Sequence, residues 1–257
     1  MAATQDAFGE HFKSQGGSGA PDNIDLLQIA SSAEEAAAQL LKAGISPKRV
    51  QVDDEMAFKV WGDLEAGFKT LESVGPRVAI YGSSKHAPND PFCKLAGRLG
   101  HLLGEEKIPV VTCGASALTN SVNAAAKFAG GRSVGISSQH EPSPNGHVTD
   151  SIRTTYNCTA KVLATRGATT SIFFPGGFQT MDAVFEVLTL HQTGKSDETP
   201  TVFVGRPWHV VKAGLKTMLD AGTIEKRDID RIMVVEKAEH AFDIARASVQ
   251  KARQQLA

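Results

Sequence analysis

The chain is poor in several features that would mark a specialised class. Its 257 residues hold 3 cysteines, Cys93, Cys113 and Cys158, far apart and without a CxxC pair. That spacing argues against a zinc knuckle and a disulfide scaffold. No apolar run approaches the length of a membrane span, about 18 residues or more, so no membrane contact is expected. Net charge is almost nil, with 27 Lys and Arg against 28 Asp and Glu. The basic excess of a general nucleic-acid or membrane-surface binder is missing. There are 12 Phe but only 2 Trp and 2 Tyr, so base-stacking platforms are poorly supplied. Neither GxGxxG nor GxxxxGK followed by Ser or Thr occurs, which removes the dinucleotide fingerprint and the Walker A loop. The histidines, among them His86, His140, His147 and His191, show no HxxxH spacing. His140 and His147 share a loop with Glu141, but the grouping lacks ligand spacing, and neither a metal nor a cofactor is expected.

What is present points to an ordinary folded protein. Hydrophobic residues make up 41% and charged residues 21%, near globular averages. Residues 1–23 are polar and rich in Gly, Ser and Ala, and read as a flexible tail. They lack the basic start and apolar run of a secretory signal; with free thiols, this gives a cytoplasmic expectation. Residues 24–75 read as a helical extension. Ser31-Ser32-Ala33-Glu34-Glu35 resembles a capping box that opens a helix stopped at Gly44. A second helix is expected from Asp54 to Ser73, with Phe58, Trp61, Leu64, Phe68 and Leu71 at three- and four-residue steps.

From residue 76 to 257 short apolar runs alternate with helical patterns. Strands are expected at 78–81, 108–112, 133–136, 171–174, 201–204 and 232–235. Helices are expected near 90–105, 116–128, 156–166, 180–191 and 208–221, with a last one from Ala238. The segment between Ile136 and Tyr156, rich in Pro, His and Gly, reads as a loop. This rhythm predicts an α/β fold: a Rossmann-like, doubly wound parallel sheet with helices on both faces.

In such a sheet ligands bind beyond the carboxyl ends of the strands. Three of those ends carry small residues: Gly82-Ser83-Ser84, Gly114-Ala115-Ser116, and Pro175-Gly176-Gly177 running on to Thr180. Small residues admit a ligand to the backbone, and the following helix presents unpaired N–H groups that favour an anion. Ser83, Ser84, Ser116 and Thr180 also suit plain helix caps. The three loops together form the candidate phosphate site.

Those residues lie within a longer resemblance. The segment Pro175 to Lys195, PGGFQTMDAVFEVLTLHQTGK, resembles the signature of the LOG (Lonely Guy) family, whose members were often labelled lysine decarboxylases. The similarity runs from about Glu55 to Ser248 and includes GFKTLESVGPRVAIYGSSK, VVTCGASALTNSVNAAAKFAGG and PTVFVGRPWHVV. It implies a Rossmann-like fold, a homodimer or higher oligomer with the helix from Thr180 at its interface, and a phosphate-bearing ligand. The family's activity is cleavage of nucleoside 5′-monophosphates to free base and ribose 5-phosphate.

The sequence departs from that pattern at the reacting centre. In the family motif PGGxGTxxE the second-block Gly falls on Gln179 and the Glu on Ala183. The family's catalytic Arg falls on Ala160, with its neighbouring Lys kept as Lys161. In the loop after the second strand, the family's Glu falls on Asn120. Cleaving an N-glycosidic bond needs a carboxylate to stabilise the cationic sugar or activate water, and a cation to hold phosphate. The resemblance therefore implies a nucleotide binder with hydrolase activity impaired or lost. One alternative is an active phosphoribohydrolase with a rearranged site, its acid Asp182 or Glu186 and its cation Arg153 or Arg166. Another is a carrier or regulatory subunit, akin to molybdenum-cofactor carriers or paired with an active paralogue. Cys113 sits where a helix N-terminus would favour a thiolate, or simply replaces a Gly. No lysine lies in recognisable pyridoxal-phosphate context, which leaves the decarboxylase label without support.

Overall fold

The short apolar runs become strands buried on both faces, as parallel strands between helical layers must be. A computed structural model describes residues 54–139, 146–197 and 199–256. The tail at 1–23, the helix expected after Ser31, and His140 with Glu141 lie outside the described residues. All described residues belong to one compact unit, which begins at Asp53.

Among the described residues seven strands form one sheet. They are β1 (Arg77–Tyr81), β2 (Val110–Cys113), β3 (Ser133–Ser138), β4 (Asp150–Thr154), β5 (Ala168–Phe173), β6 (Thr201–Val204) and β7 (Ile232–Val235). The order is β4-β3-β2-β1-β5-β6-β7, and every pair is parallel. The helices are α1 (Asp54–Glu72), α2 (Pro91–Glu105), α3 (Ala117–Phe128), α4 (Asn157–Thr165), α5 (Phe178–Gln192), α6 (Trp208–Asp220), α7 (Lys226–Ile229) and α8 (Ala238–Leu256). One apolar core joins the sheet to α2, α3 and α8 through Leu99, Leu103, Leu118, Val122 and Ala241. The other joins it to α1, α4, α5 and α6 through Leu71, Leu163, Val184 and Trp208. The doubly wound α/β reading is therefore correct.

Local chemistry sets the element ends. Asp90 caps α2, its Oδ1 accepting the Phe92 N–H at 2.7 Å, and Pro91 fills the first turn where no donor is needed. Ser116 and Thr119 form a reciprocal capping box at α3.

Several elements differ from the sequence expectation. Strand β4 lies in the segment read as a loop. Its sequence DSIRT is mostly polar because it is an edge strand with only Ile152 and Thr154 buried. Arg132 holds its start, reaching the Asp150 carboxylate at 2.8 and 2.9 Å. Strand β5 starts three residues earlier than its apolar run, since Thr169 donates its hydroxyl to the Arg77 carbonyl at 3.1 Å and so enters the sheet satisfied. Helix α5 starts at Phe178, with Gly177 as N-cap, two residues before the expected Thr180. Along α1 the expected apolar stripe divides. Leu71 is buried, whereas Phe58 is 78% and Trp61 69% exposed.

Candidate functional site

The chain builds outward from β1 to β4 and then returns to place β5 on the other side of β1. The crevice between the carboxyl ends of β1 and β5 is the switch point where open α/β sheets take ligands. Tyr81 and Phe173 end these strands as register partners and stack with ring centroids 4.7 Å apart.

An open cleft of about 460 Å³, including solvent at its mouth, lies at this point. Tyr81 and Gly82 come from the end of β1 and Cys113 from the end of β2. Asn157 and Lys161 come from α4, and Gln179, Thr180, Asp182 and Ala183 from α5. The sequence-read residues Gly82, Thr180 and Asp182 thus meet in one cavity.

The remaining expected residues build the rim rather than the wall. The Ser83 amide donates to the Pro175 carbonyl at 3.2 Å, tying the first loop to the third. His86 strengthens the tie, with Nε2 2.9 Å from that carbonyl and Nδ1 3.0 Å from Asp90 Oδ2. The Ser83 hydroxyl accepts the Lys85 amide at 3.0 Å, and Ser84 is exposed in the same turn. Neither caps α2, which uses Asp90. Gly114 turns the chain at φ 82, a conformation that favours glycine. Ser116 is committed to its cap, accepting the Thr119 amide at 3.2 Å. Thr180 is not a cap. It lies inside α5 against Gly176, where an added β-carbon would sit 2.0 Å from its hydroxyl oxygen.

Two helix ends therefore differ. The first turn of α3 is served by Ser116, whereas α5 opens on Gly177 with no side-chain cap bond. Nothing lies within 4 Å of where a Gly177 β-carbon would be. Gly177 has no side chain to cap α5 as Ser116 caps α3.

The charged wall is a three-residue cluster. The Lys161 ammonium lies 2.9 and 2.7 Å from the Asp182 carboxylate oxygens and 2.7 Å from Glu186. Burial alone would lower the Lys161 pKa, but pairing with Asp182 and Glu186 outweighs it and holds the value above the ordinary one. Both candidate acids are thus bonded to one cation. Behind them Tyr81 is fully buried, which raises its phenol pKa far above the usual range; the opposing pull of its 3.2 Å bond with Thr165 is smaller.

Ala183, 4% exposed, stands in the cleft wall where the family motif has Glu. Ala160, 2% exposed, shares the same apolar core as Ala183 but does not line the cleft. On α4 the cleft-lining residues are Asn157 and Lys161, one turn apart, and position 160 is turned about 60° from the first and about 100° from the second. Arg153 and Arg166 are engaged away from the cleft wall. Arg153 donates to the Ser137 hydroxyl at 3.0 Å and Arg166 to the Lys195 carbonyl at 2.9 Å, and neither lines the cleft. Sequence reading did not place Asn157, Lys161, Tyr81 and Gln179 in the wall. The four-residue step from Asn157 to Lys161 beside a candidate ligand loop was the available signal. Among the described residues no group of three or more His, Cys, Asp or Glu is placed to hold a metal, and no helix is long and apolar enough to cross a membrane.

Comparison with known proteins agrees with this architecture. Solved structures share the fold at low identity. The protein TM1055, a structural-genomics target, aligns with a TM-score of 0.55 at 18% identity, covering 67% of this chain and 99% of its own. A molybdenum cofactor binding protein from the phototrophic bacterium Rippkaea orientalis gives 0.52 at 18%, covering 67% and 96%. The molybdenum cofactor carrier protein of Chlamydomonas reinhardtii gives 0.52 at 18%, covering 68% and 99%. No curated protein matches the sequence. The chain is thus a Rossmann-like α/β protein. Residues 119–245 match the family model described as "Possible lysine decarboxylase", from within α3 to within α8. With the motif at Pro175 to Lys195, this match supports the LOG resemblance of a Rossmann-like protein.

Proposed function

We propose that the protein binds a phosphate-bearing small molecule, a nucleoside monophosphate, in the switch-point cleft and does not hydrolyse it efficiently. The observation that carries this reading is the wall of α5. Its N-terminus is open at Gly177, with no side-chain cap, and Lys161 stands near it. Backbone donors and the helix dipole suit a phosphate, and the Lys161 ammonium, which already bridges Asp182 and Glu186, adds a further donor. Gly82, Ser83, Ser84, Gly114, Ser116, Pro175, Gly176 and Thr180 shape the loops around it. One turn along the same wall is Ala183, which supplies neither a carboxylate nor a proton. Losing such a group removes several kcal/mol of transition-state stabilisation, roughly 3 by comparison with other electrostatic groups.

The test is calorimetric titration with adenosine monophosphate, adenosine, ribose 5-phosphate and inorganic phosphate, with chromatography for free adenine. Binding of the monophosphate above adenosine, without adenine release, is the expected result. Steady release by the natural protein would establish a rearranged hydrolase using Asp182 or Glu186. No binding by any of the four would overturn the reading.

A carrier role is the second reading, since the molybdenum cofactor carrier protein of Chlamydomonas reinhardtii shares this fold and binding without cleavage suits a wall lacking its acid. A pterin phosphate belongs in the titration for that reason. Phe178 and Phe185 stand exposed on α5, which supports self-association or pairing with an active paralogue through this helix. Sedimentation of the pure chain separates the two.

A further inference from the structure

We propose that Asp63 of α1 is a positioning residue for the cleft. It fixes the first turn of α4 and thereby sets Asn157 and Lys161 against α5. The inference rests on the reading of the cleft as a ligand site.

At the start of helix α4 the hydroxyls of Thr154 and Thr159 donate to the Tyr156 carbonyl at 3.0 and 2.7 Å. The N-cap of the helix is Tyr156, which makes no side-chain cap bond. The carboxylate of Asp63, 92 residues earlier in the chain, holds the residue just before that N-cap, Thr155. It accepts the Thr155 amide, and the hydroxyls of Thr155 and Thr159 lie 3.4 Å from it. A negative charge beside a first helical turn is favourable. The other end of α4 is held by the opposite sign. Arg77 donates to the carbonyl of Arg166, the C-cap residue of α4, and also to the carbonyls of Leu71 and Gly75 that follow or end α1. Between these two ends α1 lies so close to α4 that a β-carbon on Gly67 would sit 2.4 Å from Leu163 Cδ1.

Helix α4 is therefore bracketed along its axis by an acid and a base that match its dipole. What it carries depends on that axial setting. Lys161 spans to Asp182 and Glu186 at 2.7 Å each, and Asn157 lines the same wall one turn earlier. A slide of α4 by one residue is about 1.5 Å, enough to break these contacts. A misplacement of about 1 Å at a binding or reacting group is known to be costly.

The experiment uses the full chain with Asp63→Ala, Asp63→Asn and Asp63→Glu. Three readouts are taken: acetic anhydride labelling of Lys161 relative to Lys94 on α2, amide exchange along α4, and adenosine monophosphate affinity. Asp63→Ala is expected to raise the Lys161 labelling ratio several-fold and speed exchange at Thr155 to Thr159, with β1 and β2 unchanged. Its affinity is expected to fall by at least about tenfold. Asp63→Asn keeps one acceptor oxygen and lies between; it serves where the Ala variant fails to fold.

Unchanged labelling and α4 exchange would overturn the proposal. So would faster exchange spread evenly over the sheet, which marks a general stability loss. Full affinity in Asp63→Ala, with a wild type that binds, overturns it as well. If the wild type does not bind the nucleotide yet the labelling ratio rises in Asp63→Ala, the ligand reading fails while the positioning of Lys161 by Asp63 holds.

Discussion

The Lys161 ammonium lies 2.7 Å from the Glu186 carboxylate, a bond that joins the two helices of the cleft wall. Asp182 completes the cluster one turn earlier on α5. Replacing Lys161 with Met leaves two carboxylates four residues apart without their shared cation, a like-charge pair costing about 0.5 kcal/mol. Phosphate affinity should suffer more than stability. Titration with adenosine monophosphate should show a loss of roughly tenfold or greater, with urea unfolding shifted only slightly.

Ala183→Glu would return a carboxylate to the wall. The site is buried, so the larger side chain should destabilise the protein by about 1–3 kcal/mol. Release of adenine from the monophosphate should appear in this variant and remain at background in the natural protein, followed by chromatography. Ala160→Arg is a poorer restoration, because Ala160 does not line the cleft.

Gly176→Ala should destabilise the loop by about 1–3 kcal/mol, since the new methyl would overlap the Thr180 hydroxyl. Adding Thr180→Gly should recover part of that loss. A double-mutant cycle in urea measures the coupling; strict additivity would show that Gly176 and Thr180 do not press on each other.

Asp150 carries a pH signature. Its bonds from Arg132, aided by the Thr149 hydroxyl, hold its carboxyl below the usual value. A depressed carboxylate adds stability that is complete above its unfolded pKa, about 3.9, and lost as pH falls through the lower folded value. Asp150→Asn should flatten the acid limb of a plot of Tm against pH below about pH 4 and leave its neutral slope unchanged. An identical acid limb would show that the pair contributes nothing measurable.

Arg77→Met should be among the costlier changes in the fold. It strips donors from the carbonyls of Leu71, Gly75 and Arg166. A loss of about 2–4 kcal/mol by urea unfolding is expected for groups left unsatisfied.

The sequence made strands β1 and β6 legible, because Val78 to Tyr81 and Val202 to Val204 are unbroken apolar runs. Strand β4 escaped notice because an edge strand held by Arg132 and Asp150 needs little apolar surface. At the site, the loops beyond β1 and β5 were legible from their small residues and their place after strands. Lys161 was visible only as a retained neighbour, and its role appears once α4 and α5 are side by side. The Asp63 contact with Thr155 joins residues 92 apart, and no local pattern encodes it.

The 2 tryptophans occupy opposite surroundings. Trp208 is 2% exposed and stacks on Phe203 at 4.4 Å, while Trp61 is 69% exposed on α1. The protein consequently carries two built-in optical reporters. Iodide should quench the red-shifted emission of Trp61 and spare the blue emission of Trp208. Anything that settles on α1 will darken or shift one signal, and only loss of the folded interior will change the other.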